Sequence, residues 1–194
     1  MPRSRTHDPE AFMFARAAIL GMLAATSLPL RSDVSPSFHL AASGAVTLAV
    51  TSNEAVYGLV PDDGNGRRII AVSLGATRGE ASLTLFTQGD ELPQPGRYPV
   101  RFSWPEQGES GRIFHACFIA GTPGHPVGGF HGESGWVTIT RVEGRQISGE
   151  FELRARGMLA ADVDDEDQWV TVQGSFVADG DSTASALQNV SSLQ

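Results

Sequence analysis

The most informative feature of the chain is a repeated alternation of apolar and polar residues near its C-terminus. The segments Ile147–Leu153 and Val172–Ala178 both follow the pattern apolar-x-Gly-x-Phe-x-apolar. A period of two residues is typical of a β-strand with one buried and one solvent-exposed face. The pattern predicts that both phenylalanines point into a core and that Glu150 and Glu152 face solvent. A large neighbouring side chain should fill the inward gap at each glycine.

The same alternation, interrupted by turn residues, continues along most of the chain and predicts an all-β domain. The predicted strands are 40–50, 55–60, 69–74, 81–85, 98–104, 113–120, 135–142, 147–156 and 168–178. The glycine-rich stretch Gly121–Gly135 is interpreted as a loop. Short strands separated by turns favour an antiparallel β-sandwich of about nine strands, with a closed β-barrel as the alternative.

Three of these segments resemble the final strands of a loose group of secreted bacterial β-sandwich proteins. The segments are Ser134–Thr140, Ile147–Phe151 and Val170–Phe176, which match SG-x-V-T-I-T, I-x-G-x-F and V-x-V-x-G-x-F. The resemblance covers about Phe38 to Ala178 and implies an exported β-sandwich, but no particular activity. Many members of the group carry a lipid on a leader cysteine. This leader contains no cysteine, so no lipid anchor is expected.

The N-terminal segment has the composition of an export signal. Arg3, Arg5 and Arg16 precede an apolar run from Ala17 to Leu30, which is too short to span a bilayer comfortably. Its length is typical of a signal-peptide core, so we predict a leader helix and export to the periplasm, the cell surface or the medium. An anchor helix and an unremoved tail are the alternatives, and translation from Met13 would shorten the leader.

The predicted organisation is a signal peptide at 1–31, a spacer at 32–37, a β-sandwich domain at 38–178 and a disordered tail at 179–194. Apolar residues make up 41% and charged residues 19% of the chain, which is typical of a globular protein. The single cysteine, Cys117, lies in an apolar segment and cannot form an internal disulfide, so we expect a buried, inert thiol.

The charge of the chain restricts the possible partners. The net charge is −8, and an acidic body of this kind repels nucleic acid and anionic lipid. No stable membrane span is expected. All basic side chains are arginine, and the absence of lysine excludes Schiff-base catalysis and a phosphate-loop lysine.

The tryptophans Trp104, Trp136 and Trp169 are the candidate ligand-binding residues. On the last predicted strand, Trp169 shares the solvent-exposed face with Thr171 and Gln173. A tryptophan among polar neighbours can stack on a sugar or on a partner protein, or it can cover the rim of a second sheet.

Two groups of residues contain possible metal ligands. Asp162, Asp164 and Glu166 have the alternate spacing of a weak calcium loop, although the glycine and glutamate of an EF-hand are missing. A solvated acidic loop is the simpler interpretation. The other group combines zinc-ligating residue types, but its spacing matches no known zinc motif. Its members are His115, His125, His131 and Glu133.

Together these features predict an exported, non-enzymatic domain that binds a protein or carbohydrate partner or builds the cell envelope. No cofactor is expected apart from weakly bound calcium. A small-ligand carrier is the alternative and would need a barrel with an open apolar interior. A hydrolase would need a histidine to meet a carboxylate in a pocket.

Overall fold

The computed structural model describes residues 34–61, 68–75, 81–102, 112–122, 125–157 and 168–180. Within these ranges the chain forms ten β-strands and no helix, which confirms the predicted all-β class. The strands are β1 (Ser37–Gly44), β2 (Leu48–Ser52), β3 (Ala55–Pro61), β4 (Arg68–Leu74), β5 (Ala81–Gln88), β6 (Gly96–Pro99), β7 (His115–Thr122), β8 (His125–Glu143), β9 (Gln146–Gly157) and β10 (Trp169–Gly180).

Seven of the strands close into a barrel in the order β3, β4, β5, β7, β8, β9 and β10. The barrel closes where the end of β10 pairs in parallel with β3, placing Asp179 opposite Val56 and Gly180 opposite Tyr57. The Arg145 side chain donates a hydrogen bond to the Gly180 carbonyl at this junction. The architecture is therefore a closed barrel, which was the alternative prediction. The preferred prediction of a β-sandwich is wrong.

Three further strands widen one side of the barrel. The β1–β2 hairpin pairs with β10 between Val170 and Val177, before β10 reaches β3. Strand β6 pairs with β8 between Trp136 and Ile139, beyond the part of β8 that pairs with β7. The sheet formed by β8, β9 and β10 thus extends to six strands in the order β2, β1, β10, β9, β8 and β6.

The predicted first strand is two strands in the structure. Gly44 has a φ of 116°, a backbone conformation that favours glycine, and the chain turns there from β1 into β2. The turn keeps the alternation in phase, because Leu40 faces the core on β1 while Leu48 and Val50 pack against the same core from β2.

The loop predicted for the glycine-rich segment Gly121–Gly135 is wrong, because the segment belongs to the long strand β8 from His125 onwards. Gly132 faces inward, where an added Cβ would lie 2.9 Å from the Ala116 Cβ. The pairing register of β8 shifts between Gly132 and Ser134, so that Glu133 occupies a β-bulge. A bulge re-aims side chains, and this one lies where β8 changes partner from β7 to β6.

The core confirms the predicted strand faces near the C-terminus. Phe151 and Phe176 are buried, whereas Glu150 and Glu152 are exposed. The register pairs each phenylalanine with the glycine of the other strand, so Phe151 lies opposite Gly174 and Phe176 opposite Gly149. An added Cβ at Gly174 would come within 2.7 Å of the Phe151 ring, and one at Gly149 within 2.8 Å of the Phe176 ring.

Several predictions fall on residues that the structure does not describe. They concern the leader helix, the acidic cluster, Trp104 and the predicted tail 179–194, of which only Asp179 and Gly180, in β10, are described. Across the ranges that are described, no helix has the length and hydropathy needed to cross a membrane.

Candidate functional site

The solvent-facing side chains of β1, β10, β9, β8 and β6 form a continuous surface, which we call the outer face. Antiparallel pairing places its residues in rows across the strands. One row runs through Arg97, Thr138, Glu150, Ser175 and His39. The next runs through Pro99, Trp136, Glu152, Gln173 and Ala41.

A groove of about 570 Å³ lies over these two rows. Its principal side chains are His39, Arg97, Trp136, Glu150, Glu152 and Gln173. A neighbouring depression of about 340 Å³ shares His39, Glu150 and Ser175 with the groove. These volumes are in the range of small-molecule binding sites, although both depressions are open to solvent.

Trp136 is the main aromatic group of the groove. Its side chain is 41% exposed, which is unusual for a tryptophan on a paired strand. The guanidinium carbon of Arg97 lies 4.3 Å from the centre of the indole ring. The guanidinium covers one face of the indole in this cation–π contact, while the residue as a whole remains exposed to solvent.

The polar side chains at the centre of the groove are available to a ligand. In the ranges that the structure covers, Glu150, Glu152 and Gln173 make no side-chain hydrogen bond or ion pair. Carboxylate oxygens accept hydrogen bonds, whereas the carboxamide both donates and accepts them. The groove can therefore satisfy several hydroxyl or amide groups without breaking contacts within the protein.

Trp169 lies on the same outer face, as predicted, and its side chain is half-buried. The guanidinium carbon of Arg154 lies 4.2 Å from the centre of its ring. Trp169 does not line the groove, since it pairs with Arg156 closer to the far end of β9. The outer face thus presents two tryptophan–arginine pairs.

The bulge on β8 brings one predicted histidine and one predicted carboxylate together. His131 Nε2 lies 2.6 Å from Glu133 Oε1, and the exposed Phe102 ring packs 4.2 Å from the imidazole centre. Cys117 is opposite His131 on β7 and is half-buried, and desolvation raises the pKa of its thiol.

Among the described residues, the structure does not bring these side chains together in a metal centre. No cluster of three or more potential ligands occurs in the described ranges. His115 is buried on β7 against Phe86, and desolvation lowers the pKa of its imidazole. The side chain of His125 and the calcium candidates Asp162, Asp164 and Glu166 lie outside the described residues.

Sequence reasoning missed Arg97 and His39 as members of the site. It placed Glu150 and Glu152 correctly on the wet face but assigned them no role. The only local signal was their position at polar points of the alternation, which every solvent-facing residue shares. Their convergence depends on strand neighbours that are distant in the chain.

No family model, curated protein or solved structure matches the chain.

Proposed function

We propose that the protein is an exported, non-enzymatic binding domain of the cell envelope or cell exterior, and that the outer face is its binding surface. The observation that carries the proposal is the groove over Trp136, Glu150, Glu152 and Gln173. It combines an exposed aromatic ring with polar groups that have no partner among the described residues. The signal-like run Ala17–Leu30 supports action outside the cytoplasm.

The barrel interior favours binding on the outside over transport of a small ligand within. Buried side chains from the barrel strands occupy the interior, including the large residues Leu83, Phe118, Phe130 and Leu153. A carrier needs an apolar cavity that is left open to its cargo. The groove, in contrast, lies on the opposite side of the sheet from these residues.

The proposal can be tested by co-sedimentation of the purified mature protein with envelope fragments from the producing cells. Wild-type protein should sediment in a saturable manner, whereas Trp136→Ala should remain in the supernatant. The matched control is Leu59→Ala, because Leu59 is 52% exposed on β3, which contributes no residue to the groove. Equal sedimentation of wild type and Trp136→Ala, or no sedimentation of wild type, would refute the proposal.

A further inference from the structure

We infer that the ligand of the outer face is an uncharged oligosaccharide chain that reaches from Trp136 to Trp169. This inference rests on the proposed function and specifies its ligand class. The sequence alone does not distinguish a protein partner from a carbohydrate partner. Three properties of the outer face separate them: its chemical composition, its balance of charge and the spacing of its tryptophans.

The composition of the groove favours a sugar over a protein partner. Trp136 is the exposed large apolar side chain of the groove, and the side chains around it include carboxylates, a carboxamide, hydroxyls, an imidazole and a guanidinium. The centre of a protein interface is instead depleted of charged residues. A pyranose ring has apolar C–H faces that stack on an indole, and its rim of hydroxyls donates to carboxylates and accepts from amides.

The charge on the face favours an uncharged chain. The carboxylates of Glu150 and Glu152 lie at the centre, and the guanidiniums of Arg97 and Arg154 lie on either side of them. Arg156, opposite Trp169 at the other end of the path, adds a third guanidinium, so charges of both signs occur along the face. A polyanion would meet the two carboxylates and a polycation the three arginines, whereas neutral hydroxyls can hydrogen-bond to both groups.

The spacing of the two tryptophans predicts the length of the ligand. Trp136 is opposite Glu152, and Trp169 is opposite Arg156, on the two sides of β9. From Glu152 to Arg156 the strand advances about 13 Å, and β8 and β10 are about 10 Å apart, so the tryptophan backbones are about 16 Å apart. A disaccharide is shorter than this separation, whereas a chain of several sugars can cross the face diagonally past Arg154.

The first experiment identifies the class of ligand. Envelope fragments are digested exhaustively with protease and extracted with organic solvent, so that their polysaccharide remains, and the co-sedimentation is repeated. Wild type should still sediment, and Trp136→Ala should not. If protease digestion or lipid extraction abolishes a sedimentation that depends on Trp136 in untreated fragments, the sugar inference is wrong while the proposed function stands.

The second experiment measures length and charge dependence by calorimetry with defined sugars. The probes are disaccharides and hexasaccharides of glucose, mannose and N-acetylglucosamine, with the hexasaccharides of galacturonate and glucosamine as charged comparisons. At least one neutral hexasaccharide should bind, and Trp136→Ala should weaken it by about tenfold or more. Trp169→Phe should weaken the hexasaccharide several-fold without changing the affinity for the disaccharide, and Leu59→Ala should change neither.

Each alternative result contradicts a particular part of the inference. Tighter binding of a charged hexasaccharide than of any neutral one would refute the inference that the ligand is uncharged. If Trp169→Phe weakened the disaccharide and the hexasaccharide equally, the diagonal path from Trp136 to Trp169 would be refuted. If none of the sugars binds, the oligosaccharide assignment fails. Thermal unfolding of every variant is measured in parallel to show that each one is folded. The conservative substitution Glu152→Gln provides a second groove variant, which should also weaken binding of the neutral hexasaccharide.

Discussion

Truncating Phe151 to alanine should remove a large part of the stability of the fold. The Phe151 ring is buried at 4% exposure and lies over Gly174 of the neighbouring strand. Phenylalanine-to-alanine changes in a core cost about 3–5 kcal/mol, and the cost rises with the volume of the remaining cavity. Because Gly174 has no side chain that could move into the space, we expect a value in the upper half of this range.

A loss of about 4–5 kcal/mol would be severe, because a single domain is stable by only about 5–15 kcal/mol. In a chain of this size it should lower the melting temperature by roughly 10–20 °C. The measurement is urea unfolding, followed by circular dichroism and tryptophan fluorescence, with ΔG extrapolated to water and the slope m compared between variants. Phe176→Ala should behave similarly, because the Phe176 ring occupies the equivalent gap at Gly149.

Glu150→Ala is the matched control, since Glu150 precedes Phe151 and points to solvent on the same strand. It should change stability by less than about 0.5 kcal/mol. The comparison tests the register, because a slip of one residue would bury Glu150 and expose Phe151. A harmless Phe151→Ala together with a severe Glu150→Ala would refute both the strand assignment and the barrel core built on it.

Three further predictions concern separate parts of the chain. Gly174→Ala should cost at least about 3 kcal/mol in the same urea assay, because the new Cβ would fall on the His39 carbonyl oxygen. Burial lowers the pKa of His115 below 6.5 in the folded state, so the unfolded chain takes up the proton first as the pH falls. Urea midpoints should therefore be level between about pH 7.5 and 8 and decrease through about pH 6.5, and His115→Gln should flatten this decrease. Finally, N-terminal sequencing of the mature protein should start between Ala25 and Ser37, and an intact Met1 in the cytosol would refute export.

Local alternation predicted the strands whose two faces differ strongly in polarity. On β9 and β10 it identified the inward and outward residues correctly, because the side-chain period of a strand is a property of the backbone alone. It also predicted that a large side chain would fill the inward gap at each glycine. The register of the structure adds that each gap is filled from the other strand, at Phe151–Gly174 and Phe176–Gly149.

The errors have specific physical causes. The hairpin at Gly44 was missed because Leu40 and Leu48 contact the same core, so the alternation passes through the turn without a change of phase. The first part of β8 was missed because its glycines suggested a loop. Gly128 and Gly132 are instead inward positions where the Phe130 ring and the Ala116 side chain approach closely. Glycine in a strand can therefore mark close packing as well as a turn.

The origin of the groove explains why no single segment of the sequence predicted it. Strands β8, β9 and β10 belong to the barrel, but between Trp136 and Ile139 on β8 and between Val170 and Val177 on β10 their outer edges pair with β6 and β1. These added strands contribute Arg97 and His39, the residues that flank the carboxylates of β9. In a barrel of seven strands alone, Glu150, Glu152 and Trp136 would lie on a convex surface, and neither Arg97 nor His39 would be next to them. The binding chemistry thus arises where β6 and β1 extend the shared sheet beyond the closed barrel.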